Sequence, residues 1–206
     1  FWKSGDYVMA VLFLRQYAAQ NIKNADVPRA LIEEAGALAE LGDYEAAIRV
    51  CMENARVHPT NIYAYQAILL QADLYFELGG QNIRHAAEGY QGILTDRRFE
   101  TSSSEWRSAV FSLGKALYLM GDYKGAVLKL DEAMARFKDD PRATEAQYYL
   151  GLASRQVAFG DEALKESPLV QAAAIFARLA SAENPYSAAA AFLEADCYDD
   201  LGDYSK

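Results

Sequence analysis

Leu41-Gly42-Asp43-Tyr44-Glu45-Ala46-Ala47 decides the fold of this chain. A helical pattern ends at Leu41 and another begins at Tyr44. Glycine takes the left-handed conformation that closes one helix, and the aspartate carboxylate accepts the exposed N–H groups that open the next. The tyrosine then packs on the start of the second helix. The same tripeptide returns as Gly5-Asp6-Tyr7, Gly121-Asp122-Tyr123 and Gly202-Asp203-Tyr204, and in three of the four copies an apolar residue precedes it. A corner repeated along a chain marks a repeat architecture, in which each helix pair buries its apolar face by stacking on its neighbours.

Outward from this corner, the pattern predicts a first helix over residues 28–41 and a second over 44–57, ending before His58-Pro59. The second helices share a small slot, filled by Ala10, Ala47, Ala86, Ala126 and Ala172. One turn later comes a large slot, filled by Leu14, Cys51, Tyr90, Leu130 and Phe176. The matching faces of the first helices are Leu31/Ala35/Leu38, Ile68/Ala72/Tyr75, Val110/Gly114/Leu117 and Ala191/Ala195/Tyr198. Small residues at a helix crossing are a steric requirement, because a large side chain forces the two backbones apart. The fourth unit departs from the pattern, with Gln147 and Ser154 in such slots around Gly151.

With Pro28 opening the unit, Ala35, Gly42, Ala47 and Pro59 fall where the tetratricopeptide repeat, a helix pair of about 34 residues, has its small residues, its corner glycine and its closing proline. The chain resembles that family. The expected fold is all-α, a right-handed superhelical solenoid of about ten or eleven antiparallel helices. Its divisions are a half repeat over 1–27, repeats over 28–61, 62–101 (with an insertion), 102–140 and 141–184 (with an insertion), and a truncated repeat over 185–206. Both ends are expected to be cut from a longer array. Extra residues fall after Gly79-Gly80, between Thr95 and Ser104, and from Phe159 to Ser167. Start signals are Ser102 with Glu105 as a capping box, and Asp140-Pro141 and Asn184-Pro185 as caps before a first-turn proline.

The net charge of -9 and pI near 4.8 exclude broad binding to nucleic acid or anionic membranes, which needs clustered Lys and Arg. No uninterrupted run of about 18 apolar residues occurs, so direct membrane insertion of this segment is not expected. The 52% hydrophobic content suffices for a continuous core. Catalytic constellations are missing. His58 and His85 sit in different units, and Cys51 and Cys197 are too far apart along a solenoid to pair. Cys51 occupies a packing slot. The acidic pairs Glu33-Glu34, Asp139-Asp140 and Asp199-Asp200 are expected to be solvated helix ends, since adjacent residues on a helix do not face one another. Gly79-Gly80 and Gly89/Gly92 lack the strand and the Gly-Lys-Ser/Thr of a phosphate loop. Neither a catalytic residue, a metal nor a cofactor is expected, and the protein is not expected to be an enzyme.

What the resemblance implies is a concave groove floored by the first helices. On this chain the floor is Leu69, Asp73, Phe76, Phe111, Lys115, Tyr118, Tyr148, Leu152 and Arg155, continuing to Phe192, Asp196 and Asp199. Aromatic residues dominate its middle, and the same spacing also fits packing on neighbouring helices. The implied partner is a protein or peptide, neutral or basic, with apolar anchors. The carboxylate clamp of the chaperone-binding members, a Lys and an Asn on the first helix, is absent from the complete units. The expected role is a non-catalytic interaction scaffold. The alternatives are a structural subunit of a bacterial envelope or secretion assembly and the regulatory region of a larger enzyme. The runs Phe137-Lys138-Asp139-Asp140-Pro141 and Asn184-Pro185-Tyr186-Ser187-Ala188 are similar to repeats of bacterial envelope proteins, which favours the periplasm or cell envelope over the cytoplasm.

Overall fold

The computed structural model describes residues 5–160 and 166–202. Among them are ten α-helices and no strand: α1 (Tyr7–Gln20), α2 (Val27–Glu40), α3 (Tyr44–Val57), α4 (Ile62–Leu78), α5 (Asn82–Thr95), α6 (Ser104–Leu119), α7 (Tyr123–Arg136), α8 (Ala143–Gly160), α9 (Glu166–Ala180) and α10 (Ser187–Leu201). The chain divides into two compact units, one up to Ala109 and one from Val110, with the boundary inside α6. In the first unit α1 packs on α2, α2 on α3, α3 on α4 and α4 on α5, and α2 also touches α4. In the second, α7 packs on α8, α8 on α9 and α9 on α10.

The corners form as their residues require. Gly5, Gly42, Gly121 and Gly202 have φ of 68°, 78°, 82° and 71°. Asp6, Asp43 and Asp122 each accept a hydrogen bond from the backbone N–H three residues on, at 3.1, 3.1 and 3.0 Å. Each such cap stabilises its helix by about 1 kcal/mol. Asp203 and Tyr204 of the fourth corner lie outside the described residues, as do Phe1 to Ser4 and residues 161–165 of the fourth-unit insertion. The rest of that insertion lengthens the end of α8 and the start of α9.

The other start signals are displaced. Ser103, not Ser102, caps α6, its Oγ accepting from the Trp106 N–H at 3.1 Å. Asp140 and Asn184 accept from the N–H groups of Arg142 and Tyr186 at 2.9 and 2.8 Å, and their helices begin only at Ala143 and Ser187. Pro141 and Pro185 therefore sit in Asx turns ahead of the helix, where the side chain satisfies the backbone two residues on. The connection from Asp96 to Ser103 is pinned to the first unit. Phe99 is buried against Tyr65, with ring centroids 5.1 Å apart, and Arg98 donates to the Pro59 carbonyl at 3.1 Å.

The helix crossings carry the core. Ala47, Ala86, Ala126 and Ala172 are fully buried, and Ala10 nearly so. Cys51, Tyr90, Leu130 and Phe176 in the large slot are also buried. A Cβ on Gly114 would lie 2.6 Å from the Leu130 side chain, and one on Gly151 would lie 2.7 Å from the Phe176 ring. The fourth unit thus fits Phe176 because its partner helix offers only a hydrogen there. Ser154, one turn along α8, is buried with its hydroxyl unpartnered, in the slot where other units have an apolar residue.

The acidic pairs depart from expectation: one member of each pair is drawn inward. Glu34 is buried and accepts from the Arg15 Nε at 2.9 Å, tying α1 to α2. Asp140 holds Arg142 at 2.8 Å, and Asp200 holds Arg155 at 2.9 Å. A carboxylate at a helix–helix seam is retained when a guanidinium compensates its lost hydration. Asn54, also buried, donates from Nδ2 to the Pro28 carbonyl at 2.8 Å and so ties the end of α3 to the start of α2.

Because these crossings have no spare volume, Ala126→Leu and Gly151→Ala are each expected to lower unfolding free energy by about 1–3 kcal/mol. Chemical denaturation checks this, and an unchanged midpoint in both variants would contradict the assigned crossings.

Candidate functional site

The sequence-predicted floor residues fall in both units, and each group is described in its own unit. In the first, Leu69, Asp73 and Phe76 lie on one face of α4, all half-buried. Spacings of four and three residues put them there. Asp73 is not a free charge, since it accepts from the Tyr90 hydroxyl at 2.7 Å and links α4 to α5.

In the second unit, the remaining residues come from α6 and α8. Phe111 is only 3% exposed and is covered by the Arg142 guanidinium, 4.9 Å from its ring centre, and by Phe137 at 6.3 Å. Its ring is therefore a core group. Beside it lies a cleft of about 60 Å³ lined by Phe111, Ser112, Lys115, Arg142, Glu145 and Ala146. Lys115 donates to Glu145 at 2.7 Å and lies 5.3 Å from the centre of the Tyr149 ring. Arg155 bridges Asp196 at 3.2 Å and Asp200 at 2.9 Å, and its guanidinium lies over Phe159. Leu152 is half-buried between them along α8.

Tyr118 and Tyr148 are half-buried and belong to a continuous aromatic cluster that extends past the expected residues. Tyr123 meets Tyr118 at 5.6 Å, Tyr118 meets Tyr149 at 5.4 Å, Tyr149 meets Tyr148 at 6.0 Å, and Tyr148 stacks on Tyr186 at 4.7 Å. The contacts to Tyr149 are edge-on, the arrangement that aromatic quadrupoles favour. Among the described residues, the hydroxyls of these five tyrosines make no hydrogen bond within the protein, in contrast to Tyr90. Burial raises the pKa of Tyr118, and its phenolic neighbours Tyr123, Tyr148 and Tyr149 add to this. Burial likewise raises Tyr186, followed by the charge of Glu145.

Sequence reasoning missed Tyr149, Tyr186, Glu145 and Arg142. Tyr149 stands one residue off the expected face, and Tyr186 lies in the turn before α10. The consecutive Tyr148-Tyr149 and the tyrosine of Asn184-Pro185-Tyr186 were the available signals. Phe192, at the end of the expected floor, is 68% exposed on α10. No metal-binding group of three or more His, Cys, Asp or Glu occurs among the described residues, and none of their helices is long and apolar enough to cross a membrane.

Similarity to solved structures covers nearly all of the chain. A tetratricopeptide repeat protein from Parabacteroides merdae matches at 20% identity over 98% of this chain and 70% of its own, with a TM-score of 0.70. YrrB, described as a TPR protein with an unusual peptide-binding site, matches at 18% identity over 93% of this chain and 85% of its own, with a TM-score of 0.67. MamA from Desulfovibrio magneticus RS-1 matches at 17% identity over 84% of this chain and 88% of its own, with a TM-score of 0.60. No protein-family model and no curated protein matches the sequence. The chain has the tetratricopeptide-repeat fold.

Two outcomes test this geometry. Phe111→Ala is expected to destabilise the chain by about 3–5 kcal/mol, as removal of a core aromatic does, and thermal melts read it directly. Cys51 and Cys197 are free and buried, and burial pushes their thiols up to about 12 and about 11. A pKa raised on folding contributes stability that is present below the unfolded thiol value of 9.0 and is lost as pH climbs towards 11 and 12. Thiol-reactive reagents at pH 8 are therefore expected to label neither cysteine in the native chain and both after denaturation. Fast native labelling would contradict the burial.

Proposed function

We propose that this chain is a non-catalytic scaffold that binds a protein or peptide segment on the tyrosine-lined surface of its second unit. The observation that carries the reading is the cluster of Tyr118, Tyr148, Tyr149 and Tyr186, half-buried rings with hydroxyls unused within the protein, beside Lys115. Tyrosine suits such a role because it brings large contact area and a polar tip with little conformational entropy to lose. Lys115 and Arg155 each already have a carboxylate partner, which leaves the acidic chain suited to a neutral or basic ligand. The peptide-binding site of YrrB, on a similar fold, supports the reading.

A second reading rests on a separate observation. Leu128 on α7 is 70% exposed and Val170 on α9 is 52% exposed, apolar groups on second helices that a structural subunit would cover permanently. For location we retain the bacterial periplasm or cell envelope, which fractionation of the native cell tests.

Tyr149→Ala combined with Tyr186→Ala is expected to weaken a partner captured with the wild-type chain by about 2 kcal/mol or more, with helicity unchanged in circular dichroism. Leu128→Glu is expected to leave that partner in place. The reverse pattern would exchange this reading for the structural-subunit one.

A further inference from the structure

We infer that the cleft between α6 and the start of α8 is a subsite for a neutral side-chain carboxamide, that of a glutamine or asparagine in the bound segment. The inference rests on the binding role proposed above and specifies one residue of its ligand.

The cleft is a formed space of about 60 Å³, lined by Phe111, Ser112 and Lys115 of α6, by Arg142 of the turn before α8, and by Glu145 and Ala146 of α8. One water molecule needs about 10–15 Å³ of such space, so the cleft has room for a small head group of a few non-hydrogen atoms. It adjoins the tyrosine cluster through Lys115, whose ammonium lies 5.3 Å from the centre of the Tyr149 ring.

Charge and hydrogen-bond capacity decide what this space takes. The side chains of Lys115, Glu145 and Arg142 are 25%, 33% and 35% exposed, so their charges are partly withdrawn from water. Each charge is already balanced. Lys115 donates to Glu145 Oε1 at 2.7 Å, and Arg142 gives Nε and Nη2 to the two oxygens of Asp140 at 2.8 Å. Among the described residues, Nη1 of Arg142 and Oε2 of Glu145 are left without a hydrogen-bond partner. A guanidinium nitrogen only donates, and an oxygen of a salt-bridged carboxylate only accepts. The lining therefore asks for both an acceptor and a donor.

An incoming carboxylate meets Glu145, and an incoming ammonium meets Lys115 and Arg142, so a charged group of either sign faces a like charge. An apolar group takes water from both leftover atoms and returns nothing. A carboxamide returns an acceptor oxygen to the guanidinium and an N–H donor to the carboxylate, on one planar head that carries no charge. Phe111 and Ala146, both buried, supply the apolar wall for its methylene stem.

The test is a titration of the isotope-labelled 206-residue chain with N-acetyl-glutamine-N-methylamide, followed by two-dimensional NMR. The same compound built on glutamate, lysine, methionine or homoserine is the control. The glutamine compound is expected to shift the backbone amide signals of Ser112, Glu145 and Ala146 saturably, with a Kd of about 1 mM, the affinity that about fourteen non-hydrogen atoms give at ordinary ligand efficiency. Each control is expected to bind at least about tenfold more weakly. Glu145→Ala, which removes the one carboxylate among the lining residues, is expected to weaken the glutamine compound about tenfold and to make the glutamate compound the tightest of the set. Glu145→Gln, which keeps the shape of the side chain, is expected to shift the preference the same way. Equal binding of the controls, shifts confined to other residues, a glutamine preference that survives both substitutions, or no saturable shift would overturn the inference. The scaffold role is read separately. It stands if a captured natural partner depends on Tyr149 and Tyr186 whatever the cleft binds, and it falls if that partner ignores Tyr149→Ala with Tyr186→Ala.

Discussion

The distance at which the two helices of a pair cross sets the terms for the rest of this molecule. At the crossing, one helix offers alanine or glycine and the other sends in a large side chain, as Gly114 receives Leu130 and Gly151 receives Phe176. Packing that close leaves no slack, so the helices are held in a fixed relation and whatever their outer residues carry is held with them. Tyr148 shows the link most directly. Its ring meets Phe176, the residue seated over Gly151, at 6.3 Å, so the aromatic surface is braced by the crossing beneath it.

Charged groups follow the same logic at the seams. Glu34, Asp140 and Asp200 each lie next to a second acid in sequence, yet each turns towards an arginine. Burying one carboxylate with one guanidinium contributes little net stability, but removing either partner leaves an uncompensated charge; Glu34 and Asp200 make this contact between two helices, Asp140 within its own turn. Asn54 and the Pro28 carbonyl link two helices without charge.

The parts of the structure that were legible in the sequence are those governed by local chemistry. A glycine with positive φ followed by an aspartate cap needs only neighbours in the chain, and the small and large slots repeat one helical turn apart, so α2, α3 and the alanine crossings could be placed from residues alone. Helix starts at Ser104, Ala143 and Ser187 were less legible, because a serine or Asx-Pro sequence fits both a cap and a turn ahead of the helix. The surface was legible only in part. Spacing places Phe111 on the same face as Tyr118, but whether a ring on that face is covered depends on Arg142 and Phe137, which arrive from elsewhere in the chain. Tyr186 is invisible to any helical periodicity since it stands in a turn.

Those late arrivals change the character of the surface. With Phe111 withdrawn, its middle is formed by tyrosines, and a tyrosine surface differs from a phenylalanine one in carrying hydroxyls that both donate and accept. Burial raises the pKa of Tyr118 and Tyr186 above the ordinary phenol value. The cations that could have attracted acidic partners are held by Glu145, Asp196 and Asp200 within the fold. A surface built this way carries hydroxyls able to donate and accept beside its ring area, a different chemistry from the purely apolar floor that spacing alone suggests.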